Sequence, residues 1–89
     1  MSVTYFLNPQ VSLAETDDGA VLLHERTGGY WQLNTTGLAV LRSLTSGATI
    51  EQAARALASE HALPVARAHD DVVAVLASLR SADLLRENR

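Results

Sequence analysis

The stretch Gly28-Gly29-Tyr30-Trp31-Gln32-Leu33-Asn34 constrains the fold of this chain more than any other feature. Two of the four aromatic residues of the chain, Tyr30 and Trp31, stand side by side there, directly after a double glycine. Tyr and Trp favour the half-buried surface of a β-strand, and Gly-Gly supplies the positive φ of a tight hairpin. Asn34 is suited to end the strand and to cap a following helix. The stretch therefore predicts a short strand between a turn and a helix.

The residues before this stretch predict two further strands. Val11 and Leu13 alternate with Ser12 and Ala14, which is typical of a half-buried strand, and Asp17-Asp18-Gly19 predicts a hairpin turn. The predicted strands cover residues 11–15, 20–25 and 30–33, and they form an antiparallel meander with the third strand at one edge. Residues 3–7 fit either a strand or an arm on the core, and Pro9 interrupts them.

The second half of the chain predicts three helices. Leu38, Leu41 and Leu44 recur at helical spacing, and Gly47 stands where a glycine would end that helix. Thr49 and Gln52 match a capping box, which opens a helix that runs to about residue 61. Leu63-Pro64-Val65 breaks it.

The third predicted helix runs from about residue 66 to residue 81. Its apolar stripe consists of Val72, Val75, Leu76 and Leu79. Asp70 and Asp71 are expected in its first turn, where carboxylates interact favourably with the helix dipole. Strands followed by helices indicate an α+β protein, and two helices joined by a short turn form a helix-turn-helix. The predicted fold is winged-helix-like, a three-stranded antiparallel meander followed by three helices.

Composition excludes several classes of protein. There is no cysteine, so disulfides, thiolate zinc sites and thiol nucleophiles are absent. No apolar run reaches the roughly 18 residues of a membrane span, and Met1-Ser2-Val3 lacks the basic start of a signal peptide, so a cytoplasmic location is predicted. The seven basic residues are all Arg and are dispersed, at a net charge of -3. This distribution does not provide the basic patch typical of nucleic-acid binders.

The sequence also lacks the residues of a catalytic or metal site. His24, His61 and His69 are too few and too separated to bind zinc. Adjacent helical residues such as Asp70 and Asp71 do not face each other, so they are not an acid–base pair. No nucleophile elbow or phosphate loop is present. We therefore expect a protein that is not an enzyme and that carries no cofactor.

The ordered set of motifs resembles the PqqD-like family, the precursor-peptide recognition elements of ribosomally made, post-translationally modified peptides (RiPPs). The resemblance is carried by the segments 18–23, 29–37 and 41–44, together with Gly47, Asp71-Val72 and the leucines at 76, 79, 84 and 85. It covers roughly residues 11–85, which leaves residues 1–10 as an N-terminal arm and residues 86–89 as a polar tail. The Tyr-Trp-Gln-Leu-Asn strand in an acidic, stand-alone chain is most similar to members from lasso-peptide pathways, a form of antibiotic biosynthesis.

The resemblance implies a binding module for the leader region of a precursor peptide. In the family, the leader adds as a strand to the edge of the three-stranded sheet and lies in the cleft between the third strand and the third helix. In lasso pathways the bound precursor is presented to a separate, transglutaminase-like leader peptidase, and a separate ATP-dependent cyclase closes the ring. The resemblance implies neither a nucleic-acid partner nor a membrane.

Strand addition is also physically reasonable. An edge strand exposes unpaired N–H and C=O groups, and an extended peptide can form hydrogen bonds to them. On a helical wheel Val73 falls beside Leu76, with His69 and Arg80 on the same flank, and we expect this flank to face the peptide. The candidate peptide-binding residues are Gly29, Tyr30, Trp31, Gln32 and Leu33 on the strand and His69, Val72, Val73, Leu76 and Arg80 on the helix.

Simpler roles stay open at this point. Trp31 and Leu33 could fill the core, Tyr30 could pack on the surface, and Val73 could be an ordinary core residue or an exposed apolar one. Two other functions compete, a winged-helix DNA-binding regulator and an interaction domain whose edge pairs with a second copy. Acidic residues on the third helix oppose DNA binding, since they would meet phosphates of the same charge.

Overall fold

The structure is a computed structural model and describes residues 3–88. Within that range the chain forms β1 (Thr4–Leu7), β2 (Val11–Thr16), β3 (Gly19–His24), β4 (Tyr30–Asn34), α1 (Thr35–Thr45), α2 (Ile50–His61), α3 (Val65–Ser81) and β5 (Leu85–Asn88). β2, β3 and β4 form an antiparallel sheet in that order. The α+β fold, with a three-stranded meander followed by three helices, is confirmed, and β4 is the third strand predicted from the sequence.

Local sequence explains why β3 and β4 lie so close together. Thr16 pairs with Gly19 across the two-residue turn Asp17-Asp18. Gly19 has a φ of 144°, and a Cβ atom there would lie 1.9 Å from the carbonyl oxygen of Leu33. A side chain at this position would therefore separate the two strands, and only glycine fits it.

Side-chain caps fix the start of two helices. Asn34 ends β4, and its Oδ1 accepts a hydrogen bond of 2.7 Å from the Gly37 N–H in α1. Thr49 and Gln52 form the predicted capping box of α2, with both reciprocal hydrogen bonds present. Because β4 runs directly into a capped helix, its C-terminal end has a fixed direction.

A second, two-stranded sheet joins the two ends of the chain. β1 pairs antiparallel with β5, from Thr4 opposite Asn88 to Leu7 opposite Leu85. Residues 4–7 are thus a strand, the first of the two possibilities left open by the sequence, and residues 86–88 of the polar tail are also in a strand. Of the proposed arm and tail, Met1, Ser2 and Arg89 lie outside the described residues.

The core lies between the inner faces of the two sheets and the three helices. Its fully buried side chains include Leu22, Leu44, Val72 and Leu84. Among residues 3–88, none of the helices has both the length and the apolar character needed to cross a membrane.

One expectation about α3 is wrong. The helix begins at Val65, directly after Pro64, and its first turn contains no acidic residue. Asp70 and Asp71 therefore lie in the second turn, where they do not cap the helix. The position of the helix start explains the difference, because Pro64 takes the N-cap place with extended backbone angles and no side-chain hydrogen bond.

Candidate functional site

The outer edge of β4 carries main-chain groups that point away from the sheet. The His24 N–H donates to the Gly29 carbonyl, and the Gly28 N–H donates to the His24 carbonyl, each at 2.8 Å. The direction of the main-chain N–H and C=O groups alternates along a strand. Those of Leu22 therefore also point toward β4, where Trp31 is the partner of Leu22 in the register. It follows that Trp31 and Leu33 bond to β3, whereas the N–H and C=O groups of Tyr30 and Gln32 point outward.

A cleft of about 390 Å³ lies between this edge and α3. From β4 it is lined by Trp31, Gln32, Leu33 and Asn34, and from α3 by Ala74, Val75, Ser78 and Leu79. Gly37 of α1 completes the lining. The small side chains on α3 leave room for the cleft, and partly or fully buried apolar side chains form the floor of the cleft. The lining contains no charged residue, so the cleft suits uncharged and apolar side chains.

Trp31 stands at one end of the cleft. Its indole ring lies over Gly29, where an added Cβ would approach the ring to 3.1 Å. A shallow depression beside Trp31 extends the cleft along Ala77, Ser78 and Ser81 of α3 and along Ala82, which follows the helix. The side chain is 38% exposed although it points to the inner face of the sheet. Trp31 is therefore not a fully packed core residue, and it keeps surface available in the cleft.

The strand residues predicted for the site lie at the cleft or beside it. Trp31, Gln32 and Leu33 line it, and Gly29 supports the Trp31 ring. Tyr30 is on the opposite face of the sheet, with 67% of its surface exposed. Its main chain lies on the open edge, and its side chain does not line the cleft.

The helix residues predicted for the site do not line this cleft. Val72 and Leu76 are buried in the core, Val73 is exposed, and His69 is half-buried. Arg80 pairs with Glu87 of β5 at 3.5 Å, which places that flank of α3 toward the second sheet. In the structure the other flank of α3 borders the edge of β4, and contact of the predicted flank with the peptide stays a prediction.

A helical wheel alone does not decide which flank of α3 borders β4. An apolar stripe identifies the centre of the buried face, but it does not say which of the two flanks meets a given neighbour. The flank that meets β4 carries Ala74, Ala77, Ser78 and Ser81, a series of small residues at helical spacing. That series is a signal that the sequence itself carries, because small side chains at helical spacing leave room beside a helix.

A polar cluster lies next to the Trp31 end of the cleft. Asn8 is fully buried and His24 is 4% exposed. The Nδ2 of Asn8 donates to the Asp83 carbonyl at 2.8 Å and to its Oδ2 at 3.2 Å. Asp83 also accepts two hydrogen bonds of 3.2 Å from Arg86. These hydrogen bonds from Arg86, more than any other contact, lower the pKa of the Asp83 carboxyl below its ordinary value.

The lowered pKa predicts a pH dependence of stability. A carboxyl whose pKa is lower in the folded state stabilises the fold above its unfolded-state pKa of about 3.9, and this contribution is lost as the pH falls through the folded-state pKa. Asp83→Asn should therefore be less stable than wild type at neutral pH, and the difference should shrink below about pH 4. Thermal midpoints of both proteins between neutral and acidic pH measure it. A difference that stays constant over this range contradicts the prediction.

Comparison with known proteins gives the family. Residues 19–85 match the family described as Coenzyme PQQ synthesis protein D (PqqD). The chain belongs to this family. No curated protein sequence matches it significantly.

Two solved structures are similar over almost the whole chain. The first, "Lasso peptide synthetase B1 complexed with the leader peptide", is 35% identical, covers 92% of this chain and 96% of its own, and superposes with a TM-score of 0.86. The second, "TbiB1 in Complex with the TbiA(beta) Leader Peptide", is 28% identical, covers 97% and 95%, and has a TM-score of 0.81. Both proteins were solved with a leader peptide bound.

Proposed function

We propose that this protein is a non-catalytic RiPP recognition element that binds the leader region of a lasso-peptide precursor. The observation that carries the proposal is the open edge of β4 beside an uncharged cleft, in a chain 35% identical to a lasso peptide synthetase B1 solved with its leader peptide. The leader would add as a fourth strand along Tyr30 and Gln32. Alternate side chains of that strand would enter the cleft and contact Trp31, Leu33 and Ser78.

The rival function as a DNA-binding regulator has less support. The cleft lining contains no cation, and the net charge of the chain is -3. A DNA-binding surface needs Lys or Arg side chains near phosphates. An uncharged cleft beside an open strand edge meets the needs of a peptide instead.

The bound precursor would then reach other enzymes. We propose that this protein presents it to a leader peptidase of the transglutaminase-like class and that an ATP-dependent cyclase acts afterwards. Because ribosomes make the precursor, we expect the encounter to take place in the cytoplasm. The peptidase and the cyclase carry out the chemistry, and this chain contributes binding energy and position.

A titration tests the binding step. The probe, here called the cognate leader, is a synthetic peptide that covers the leader of a precursor to be identified among the genes that neighbour the one for this chain. A scrambled peptide is the control. Trp31 is the one tryptophan of the chain, so its emission reports on the cleft directly. We expect saturable binding in the micromolar range or tighter, with a shift of emission to shorter wavelength as the peptide excludes water. The absence of saturable binding, or equal binding of the scrambled peptide, contradicts the proposal.

A further inference from the structure

Two polar side chains are buried in this small domain at a place where apolar residues would ordinarily stand. Asn8 follows β1 and is fully buried, and His24 ends β3 and is 4% exposed. Burial of polar groups is costly unless they are hydrogen-bonded, and well-packed apolar side chains of similar size often stabilise a core more. A contribution to stability alone therefore does not account well for these two residues.

Asn8 connects three segments that are distant in sequence. Its Oδ1 accepts the Gln10 N–H at 3.0 Å, and its Nδ2 donates to both oxygens of Asp83 described above. The same Nδ2 lies 3.5 Å from Nε2 of His24. The segment between β1 and β2, the end of β3 and the turn after α3 thus meet at one side-chain amide.

His24 and Asp83 lead from this amide to the two walls of the cleft. The main chain of His24 bonds to Gly28 and Gly29, and its Nδ1 accepts the Thr27 N–H at 3.4 Å, so His24 fixes the hairpin that starts β4. Gly29 of this hairpin lies under the Trp31 ring.

The other wall is reached through Asp83. This residue has a φ of 58° and turns the chain from α3 into β5. The two residues before it, Ser81 and Ala82, border the depression beside Trp31. One polar cluster is therefore bonded to the strand wall and to the helix wall at the same end of the cleft.

We propose that Asn8, His24 and Asp83 are positioning residues that fix the distance between β4 and α3 at the Trp31 end of the cleft. This inference rests on the proposed function, since the distance matters for the leader that enters there. The cluster does not contact the peptide. It holds the two walls in the arrangement that the peptide requires, so that binding does not first have to order them.

Asn8→Ala is the principal test, because it removes the shared amide and keeps the main-chain bonds of residue 8. We expect the folded variant to bind the cognate leader about tenfold more weakly than wild type. Without peptide, its Trp31 emission and its quenching by acrylamide should also change, because the ring loses a fixed wall. The matched control is Leu57→Val. Leu57 is a buried residue of α2 on the side that faces α1. It should lower the thermal midpoint without changing affinity or the Trp31 signal.

A second pair of variants serves if Asn8→Ala does not fold. Asp83→Gly and Asp83→Asn both suit a positive φ, and both remove the charge that pairs with Arg86. Only Asn keeps a side-chain oxygen for Asn8, so Asp83→Asn should bind more tightly than Asp83→Gly. The inference is overturned if folded Asn8→Ala binds and fluoresces like wild type or, where that variant is unfolded, if the two Asp83 variants bind equally. Failure of wild type to bind the cognate leader overturns the proposed function instead.

Discussion

Gln32→Pro is expected to weaken leader binding strongly while the protein stays folded. The N–H of Gln32 points away from β3, so the sheet loses no hydrogen bond when proline removes it. Proline is tolerated on an edge strand for this reason. A peptide strand that pairs with β4 would lose a donor and leave one of its own carbonyls unpaired. The cost is about 3 kcal/mol, which corresponds to roughly 100-fold weaker binding.

Two controls separate the main chain of Gln32 from its side chain and from the sheet. Gln32→Ala keeps the N–H and should bind nearly as tightly as wild type. Leu33→Pro removes an N–H that bonds to β3, and it should lower the thermal midpoint strongly. Affinity for the cognate leader and a thermal melt are measured on each variant. Wild-type affinity in a folded Gln32→Pro protein rules out strand addition to β4.

The local elements of this fold could be predicted because each has its own residues in sequence. The turn Asp17-Asp18-Gly19, the cap at Asn34 and the box at Thr49 and Gln52 act over two to four positions, so no knowledge of the tertiary structure is needed to recognise them. The edge position of β4 followed from the order of the strands. These features predicted the open edge and the strand side of the cleft.

Features that depend on distant contacts could not be predicted in the same way. β1 and β5 are each four residues long and pair across nearly the whole chain, and nothing within either segment specifies the other. Asn8 and His24 look like ordinary polar residues in sequence. They become notable only when the turn at Asp83 is brought beside them, and this contact is a consequence of tertiary packing.

The helix side of the cleft also depends on tertiary contacts that the sequence of α3 alone does not specify. The predicted apolar stripe of Val72, Val75, Leu76 and Leu79 forms the inner face of α3, where all but the half-buried Val75 are buried. Val72 and Leu76 were also expected to contact the peptide, and neither lines the cleft. Which flank meets β4 is decided by how α3 crosses the sheet. The small residues of α3 belong to the lining because an added strand needs room between β4 and the helix. A large apolar side chain there would fill the space that the peptide should occupy.

The choice of flank can be tested with two neighbouring residues of α3. Ala74 lines the cleft, and Val73 is on the surface of the same helix with its side chain outside the cleft. Aspartate lowers helix propensity more at Ala74 than at Val73, by less than about 1 kcal/mol, and this difference affects stability rather than affinity. Only Ala74→Asp places a charge against the apolar floor where the leader should dock. We expect this variant to bind with a loss of at least about 2 kcal/mol, the scale of an interface hot spot, or roughly 30-fold.

Val73→Asp is the matched control, and it should bind the cognate leader like wild type. Val73→Asp should melt near the wild-type midpoint and Ala74→Asp slightly below it, because both positions are exposed but only Ala74→Asp replaces the best helix former. Affinity is measured by calorimetry or anisotropy on the folded variants. The opposite result, in which Val73→Asp weakens binding and Ala74→Asp does not, would mean that the leader lies along the flank of His69, Val73 and Arg80. In that case the cleft between β4 and α3 would not be the binding site.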